Sequence, residues 1–343
     1  MSFDTYTRMN LNKHSVTIMP DFFIDRIVKV PSLELLMTGV KTKLMSGGGS
    51  IRGFEQVDLK GGNATNVAYA IGKMGVSVNL IVIADRQSEM SIRHKFSNLP
   101  NVDIDVLRGK PGHTVALEFQ SDGTLSNVML SDVGDVIDAG PDKISKSTLY
   151  KKSKTDLVGV FNWAANTRGT ELAEAILSRS CREGCLTYFA PADLASRRDE
   201  VSELFSKLIG VLGVLSVNEN ETRVISDVLL GATFPSIYAP VDICRAAEAL
   251  SNKLGCRVDV HTPLGCASAF KKSSIFMESF SVVQKVSTGA GDVWDAANIA
   301  GYLLRIDDIN RLKFANAAAA LYVSSTEFEP PSLEQVISFL KDV

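Results

Sequence analysis

The feature that most constrains the fold is an alternation of short apolar segments with segments of helical periodicity along most of the 343 residues. Several short segments are apolar on both faces, which is typical of parallel strands buried between two helix layers. This repeated strand–helix order predicts an α/β fold with a mostly parallel central sheet. The predicted strands are Val16–Met19, Val78–Ala84, Leu157–Phe161, Leu186–Ala190, Val211–Val217 and Cys256–Val260. The predicted helices are Asn63–Met74, Thr170–Arg182, Arg197–Leu208 and Ile243–Leu254, followed by two Ala-rich helices between Gly289 and Thr326.

Two regions break this alternation, residues 25–60 and residues 102–130. In the second region, Thr114–Phe119 and Leu125–Met129 flank an Asp122-Gly123 pair, a pattern typical of a β-hairpin. We expect these regions to form a small antiparallel sheet that stands off one domain comprising the whole chain.

The composition narrows the functional classes. The net charge of −3 argues against a broad nucleic-acid-binding surface. The five cysteines form no C-x-x-C pair and the four histidines no H-x-x-x-H pair, so a metal held by side chains alone is not expected. The polar N-terminus lacks the apolar stretch of a signal peptide, and no segment approaches the roughly 20 apolar residues of a membrane span. We therefore expect a cytoplasmic protein without a nucleic-acid or membrane partner.

The segment Ser287–Asp292, with the sequence STGAGD, precedes a strongly helical pattern. Its small residues Gly289, Ala290 and Gly291 let backbone N–H groups approach a ligand, and such amides at a helix start bind phosphoryl groups. An Asp with an ordinary pKa near ~3.9 is ionised at neutral pH, so Asp292 is suited to accept a hydroxyl proton. The segment favours phosphoryl transfer, with a simple helix-capping role for Asp292 as the alternative.

Two other nucleotide-binding classes are disfavoured. The dinucleotide-binding pattern G-x-G-x-x-G requires a third glycine, and Trp294 occupies that position late in the chain. The P-loop pattern G-x-x-x-x-G-K-[ST] does not occur in the sequence.

A second glycine motif begins at Gly61-Gly62 and leads into an amphipathic helix. Asn63 and Asn66 are three residues apart, so both can face one cleft. Their amide groups offer donors and an acceptor, which suits neutral polyols. The alternative is a glycine turn in which Asn63 only caps the helix.

These two motifs together, in this order, resemble those of the ribokinase-like (PfkB) family of carbohydrate and nucleoside kinases. The segment that begins at Gly61 is similar to the family's GGNxxNxAxxxxxLG pattern, with Met74 in place of Leu, and Gly289–Asp292 is similar to its GAGD core. Asn218–Glu221 resembles the family's N-x-x-E motif, and Asn316 lies in a segment that resembles its last nucleotide-side helix. The four landmarks extend over nearly the whole chain.

The resemblance implies a three-layer α/β/α fold with a small β-sheet lid, approximately residues 25–60 and 102–130. It implies ATP as phosphoryl donor, Mg²⁺ as cofactor, Asp292 as the base and the amides of Gly289, Ala290 and Gly291 as part of the catalytic site. The implied acceptor-binding residues are Asp25, Gly61, Gly62, Asn63 and Asn66. The implied nucleotide-side residues are Asn218, Glu221, Gly265 and Asn316, with Glu221 ordering Mg²⁺ through water.

The chain departs from the family pattern at three places, one of which is the bulky Trp294 in the first turn after Asp292, where it is expected to pack against the sheet. Val286 and Ser287 stand where Asp-Thr usually precedes the GAGD core, and that Asp is associated with a monovalent-cation site, so activation by K⁺ is in question. Pro263-Leu264-Gly265 replaces a T-L-G segment, with Ser268 where a second Gly is common, so we expect a differently shaped nucleotide pocket.

The leading hypothesis is an ATP-dependent kinase that phosphorylates a hydroxyl of a sugar or nucleoside by in-line transfer. The alternative is a non-catalytic sugar or nucleoside sensor on the same scaffold, and a dehydrogenase is a more distant one. The resemblance also suggests a homodimer formed through the lid. The acceptor stays open among sugars, sugar acids and nucleosides.

Overall fold

The described part of the chain comprises residues 11–121, 124–152, 155–232, 234 and 239–342 of a computed structural model. The polar segment of residues 1–10 and the predicted turn at Asp122-Gly123 lie outside the described residues. The helices of the described part include none that is long and apolar enough to cross a membrane.

The strands form two separate sheets. In chain order they are β1 Ser15–Met19, β2 Phe23–Val30, β3 Gln56–Gly61, β4 Ser77–Ala84, β5 Val102–Arg108, β6 Gly112–Ser121, β7 Thr124–Asp132, β8 Leu157–Phe161, β9 Leu186–Ala190, β10 Val214–Asn218, β11 Arg257–Thr262, β12 Gly265–Phe270 and β13 Ser273–Glu278. The central sheet has the order β13-β12-β11-β10-β9-β8-β1-β4-β5. Its strands are parallel from β11 to β5, and β12 and β13 extend it as antiparallel strands.

The helices cover both faces of the central sheet. They are α1 Leu33–Met45, α2 Asn63–Lys73, α3 Arg86–Lys95, α4 Pro141–Ile144, α5 Thr148–Lys152, α6 Gly169–Arg182, α7 Val201–Leu208, α8 Glu219–Leu230, α9 Pro240–Leu254, α10 Ala290–Leu303, α11 Asp308–Val323 and α12 Leu333–Asp342. Three short 3-10 helices are Gly134–Asp138, Trp163–Ala165 and Ala195–Glu200. One core packs α2, α10 and α11 against the sheet, and a second core packs α6, α7 and α9 against the other face. This arrangement is the three-layer α/β/α fold, and the prediction of a mostly parallel central sheet is confirmed.

In the middle of the chain, predicted and observed elements agree, with differences of a few residues at some of their starts. The strands Leu157–Phe161 and Leu186–Ala190 have the predicted limits. The helix predicted from Arg197 starts as an α-helix only at Val201, because Arg197 has φ −123° and interrupts the turn before it. The strand predicted from Val211 begins at Val214.

A second sheet, the lid sheet, consists of β2, β3, β6 and β7 in the order β3-β2-β6-β7. The predicted lid limits need correction at residues 102–108, because β5 pairs with β4 and belongs to the central sheet. The sheet is also not wholly antiparallel, since β2 and β6 are parallel. Residues 33–45 form the helix α1, whose start is capped by the Ser32 side chain. No residue of α1 is buried, but its apolar residues at positions 33, 36, 37, 40 and 44 have helical spacing, a signal that the assignment of residues 25–60 to the lid overlooked.

A buried ion pair links α11 to the central sheet. Arg311 is 1% exposed and lies 3.1 Å from the carboxylate of Asp259, which is fully buried in β11. Asn298 and Tyr302 of α10 also donate hydrogen bonds to Asp259, at 2.8 and 2.6 Å. The pair therefore holds α10 and α11, the two helices behind the GAGD turn, against the sheet.

We predict that Arg311→Met lowers the free energy of unfolding by about 3–5 kcal/mol, because it leaves the buried Asp259 carboxylate without its counter-charge. Urea unfolding would measure the change. Arg182→Met, at an exposed position, is the matched control and should stay within about 0.5 kcal/mol of the wild type. A similar small loss for Arg311→Met would contradict the role assigned to the pair.

Candidate active site

The GAGD turn forms the start of α10. Gly289 has φ 88°, in the left-handed region that favours glycine, and an added Cβ would lie 2.7 Å from the Tyr322 hydroxyl. That hydroxyl donates a hydrogen bond to the Thr288 carbonyl at 2.8 Å, which fixes the turn. Backbone N–H groups in the first turn of a helix lack intrahelical acceptors, so this turn offers donors to an anion.

Asp292 lies in the first turn of α10 and is 8% exposed. The side-chain amides of Asn63 and Asn66 donate hydrogen bonds to its two carboxylate oxygens, each at 2.8 Å. Burial raises the pKa of Asp292 to about 7, and the two amide hydrogen bonds oppose this rise. Asp292 is thus a desolvated carboxylate that exchanges a proton near neutral pH.

The glycines at the start of α2 are required by close contacts. Gly62 has φ 95°, and an added Cβ would lie 2.9 Å from an oxygen of Asp21. An added Cβ at Gly61 would lie 1.9 Å from an oxygen of Asp25. Both positions therefore exclude a side chain because carboxylates already occupy the space.

Asp21 is a site residue that sequence reasoning missed. It is fully buried, and its carboxylate accepts hydrogen bonds from the backbone amides of Asn63 and Ala64, both at 2.9 Å. The side chain of Asn162 also donates to it, at 3.0 Å. The N-cap of α2 is Gly62, which has no side chain. Asp21, in the connection between β1 and β2, therefore caps the helix instead. The sequence signal that could have identified Asp21 is its position two residues after the first predicted strand.

A cavity of about 210 Å³, here called the Asp25 cavity, lies between the starts of α2 and α10. It is lined by four predicted site residues, Asp25, Gly61, Asn66 and Gly289. Burial raises the pKa of Asp25 to about 6, although hydrogen bonding to Thr114 opposes the rise. The cavity is also lined by Lys95 at the end of α3, which the sequence had not singled out.

The lid sheet contacts Ser287 and Thr288, the two residues directly before the GAGD turn. Glu118 of β6, which is buried, accepts hydrogen bonds from the hydroxyls of Ser287 and Thr288, both at 3.4 Å. Asn127 of β7 donates to the Thr288 hydroxyl at 3.1 Å. The lid sheet is therefore joined to the segment that precedes Asp292.

Asn218 and Glu221 form a capping box at the start of α8. Asn218 accepts from the Glu221 amide at 2.9 Å, and its own side chain donates to the Glu221 carboxylate at 2.8 Å. Burial raises the pKa of Glu221 to about 8, and the nearby carboxylate of Asp295 adds to the rise. Asp295 lies one helical turn after Asp292 in α10. Asn218 and Glu221 therefore lie near the start of α10.

Asn316 is held by protein contacts on both ends of its amide. Its oxygen accepts a hydrogen bond from the Trp294 indole at 2.9 Å, and its nitrogen donates to the carbonyls of Met277 and Glu278 at 3.2 and 2.9 Å. His261, at the carboxyl end of β11, lies with its ring 5.0 Å from that of Trp294. Trp294 therefore belongs to a packed group with Asn316 and His261.

Gly265 starts β12 and pairs with Thr262, so only Pro263 and Leu264 connect β11 to β12. An added Cβ at Gly265 would lie 2.5 Å from the Met277 carbonyl on β13. Packing between strands therefore requires glycine here.

Comparison with known proteins identifies the fold. The sequence matches no family model, and no curated protein matches it significantly. The chain is similar in structure to phosphofructokinase-2 from Escherichia coli, with 14% identity, a TM-score of 0.72 and coverage of 96% of this chain and 98% of that chain. It is also similar to ribokinase from Thermotoga maritima, with 21% identity, a TM-score of 0.69 and coverage of 95% and 98%. Adenosine kinase from Sinorhizobium meliloti gives 18% identity, a TM-score of 0.71 and coverage of 96% and 99%. The ribokinase-like fold predicted from the motifs is confirmed.

We predict that Asn66→Ala moves the pKa of Asp292 above about 7, because it removes a hydrogen bond that stabilises the carboxylate. The measurement is the carboxyl ¹³C shift of Asp292 against pH, with Asp292→Asn used to assign the signal. Asn252→Ala, at an exposed position, is the control and should leave the titration unchanged. An Asp292 pKa that falls in Asn66→Ala would contradict the assigned contact.

Proposed function

We propose that this protein is an ATP-dependent kinase that transfers the terminal phosphoryl group of the nucleotide to a hydroxyl of a sugar or nucleoside. One observation carries the proposal: the buried Asp292 carboxylate lies in the first turn of α10 and accepts a hydrogen bond from Asn66, which lines the same cavity as Asp25. The fold shared with a phosphofructokinase, a ribokinase and an adenosine kinase supports it.

In the proposed reaction Asp292 accepts the proton of the acceptor hydroxyl. The hydroxyl oxygen forms a bond to the terminal phosphorus of ATP, and the bond between that phosphorus and its bridging oxygen breaks, which releases ADP. A carboxylate with a pKa of about 7 is a stronger base than an ordinary Asp and is still largely ionised just above neutral pH. Asn63 and Asn66 orient it by their hydrogen bonds.

The amides of Ala290, Gly291 and Asp292 stabilise the charge on the transferred group. They are fixed in place before the reaction, and donors of this kind act strongly where water is excluded. The hydrogen bonds from the GAGD segment to Glu118 suggest that the lid sheet helps exclude water from this turn.

Asp25, Gly61 and Gly62 would bind the acceptor. The carboxylate of Asp25 can accept two hydroxyl hydrogen bonds, and the two glycines keep the backbone close to it. Asn63 and Asn66 each donate one N–H to Asp292. Their amide oxygens would accept hydrogen bonds from hydroxyl groups of the sugar or nucleoside.

The nucleotide side would involve Asn218, Glu221, Gly265 and Asn316. Mg²⁺ bound to nucleotide phosphates keeps several waters, and its positive charge would favour the ionised form of Glu221, whose pKa burial raises to about 8, so Glu221 would contact it through water. Among the described residues there is no cluster of three or more acidic, His or Cys side chains suited to a metal. Asn316 would act by positioning Trp294, since its own amide is hydrogen-bonded to protein atoms.

A homodimer through the lid sheet is part of the proposal. Val128, Met129 and Leu130 of β7 are each at least half exposed, which leaves an apolar strip on its outer strand.

A second candidate is a sugar or nucleoside sensor without catalysis. The observation that favours it is the engagement of Asn316 by Trp294 and β13, which removes that amide from contact with a nucleotide base. Tight acceptor binding without ATP consumption would establish this candidate.

We predict that Asp292→Asn lowers kcat by at least about 100-fold, because the general base is lost. Nucleotide affinity, measured by calorimetry, should stay within about threefold since the amides remain. Asp199→Asn, on an exposed 3-10 helix, is the matched control and should keep wild-type turnover. Near-wild-type turnover in Asp292→Asn would refute the mechanism.

The rate should also depend on pH. We expect kcat/KM for the acceptor to fall as the pH drops through about 7, because the raised pKa of Asp292 leaves it protonated, and unable to act as a base, below that value. Asn66→Ala should shift the fall to higher pH. A pH–rate profile that is flat between about pH 6 and 8 would contradict the assignment.

A further inference from the structure

The Asp25 cavity is small, and six of its thirteen lining residues are charged. Its volume of about 210 Å³ is below the roughly 300–1,000 Å³ of pockets that hold drug-sized ligands. Four carboxylates and two ammonium groups line it, which are Asp25, Asp58, Glu327, Glu329, Lys60 and Lys95.

Lys95 is a lining residue with spare hydrogen-bonding capacity. Its ammonium donates to the Lys60 carbonyl at 2.6 Å and lies 4.7 Å from the centre of the Tyr69 ring. Within the described ranges, no carboxylate oxygen lies within 4.0 Å of it. An ammonium has three N–H donors, so the remaining donors are available to a ligand. Burial lowers the pKa of Lys95 to about 8, which leaves it mainly charged at neutral pH.

We infer that the acceptor is an uncharged monosaccharide or a polyol of similar size, and that Lys95 and Asp25 together select it. Lys95 donates to hydroxyl oxygens of the sugar and Asp25 accepts from its hydroxyl groups. This inference rests on the proposed function and makes its acceptor class specific.

The charge of the cavity excludes phosphorylated sugars and sugar acids. Carboxylates outnumber ammonium groups among its lining residues, and Asp292 lies beside it. No arginine lines it, although a planar guanidinium is the group best suited to bind phosphate or carboxylate by two parallel bonds. An anionic acceptor would thus meet repulsion that a neutral sugar avoids.

The aromatic residues near the cavity do not offer a face to a nucleoside base. The Tyr69 ring is covered by Lys95 and by the edge of Phe96, whose centre is 5.3 Å away. Tyr322 is only 6% exposed, with its hydroxyl directed to the Thr288 carbonyl, and Phe328 packs against the core. A base would therefore lack the stacking surface that pays for its burial.

Glu329 holds in place the segment of residues 327–329, which lines one side of the Asp25 cavity. Lys73 and Tyr69 of α2 donate to its carboxylate at 3.0 and 3.3 Å. These contacts hold the segment after α11 beside the cavity and occupy the Glu329 carboxylate, whose nearby charge favours the protonated form of Lys95.

The first experiment uses the wild-type protein and needs no variant. Neutral monosaccharides and polyols, sugar acids, sugar phosphates and nucleosides are each incubated with Mg-ATP, and phosphorylated products are identified by mass spectrometry. Binding of the same compounds is followed by saturation-transfer NMR. Transfer to neutral sugars alone is the expected result, and transfer to a nucleoside, sugar acid or sugar phosphate would overturn the inference while leaving the kinase intact. Binding of neutral sugars without transfer to any compound would refute the kinase and support the inference about the cavity.

The second experiment tests Lys95 itself. Lys95→Met should raise KM for the neutral sugar by about tenfold or more and change kcat and KM for ATP little, because a charged donor to the acceptor is lost. Lys95→Gln keeps a donor and should show a smaller increase. Lys253→Met, at an exposed helix end, is the control, and thermal unfolding checks that each variant is folded. An unchanged KM in a folded Lys95→Met protein would overturn the role of Lys95.

Discussion

The site depends on the two hydrogen bonds that join the starts of α2 and α10. Asn63 and Asn66 donate to the carboxylate of Asp292, more than 220 residues away in sequence. Hydrogen bonds to a charged group contribute about 1.5–3 kcal/mol each. They oppose the effect of burial on the pKa of Asp292. The carboxylate is therefore held in position, and its pKa stays at about 7. The two glycine motifs thus act as one unit.

That unit is supported by buried polar groups behind it. Asp21 caps α2 from the connection that follows β1, and the Arg311–Asp259 pair holds α10 and α11 on the central sheet. The lid sheet adds contacts from Glu118 and Asn127 to the segment before Asp292. The N-termini of α2 and α10 are therefore both held by side chains from other elements. This suits a site whose donors must be in place before a ligand binds.

Much of the fold and part of the site could be predicted from sequence because their signals are local. Strands such as Leu157–Phe161 are short apolar runs, and the glycine motifs mark the two helix starts that line the Asp25 cavity. The helix α1 was not predicted, although its apolar residues at positions 33, 36, 37, 40 and 44 recur with helical spacing, because its region was assigned as a whole to the lid sheet. The strand β5 was assigned to the lid because its position at the edge of the central sheet comes from pairing with β4, which its own sequence does not encode.

By itself, the sequence determined the alternating α/β architecture, the two glycine turns and the presence of Asp292 and Asp25 near them, because backbone conformation and residue type are local properties. Only the tertiary structure decided the raised pKa of Asp292, the capping of α2 by Asp21 and the place of Lys95 in the cavity. It also decided that Asn316 binds Trp294. These properties arise from burial and from contacts between residues distant in the chain, and such contacts exist only once the helices pack on the sheet.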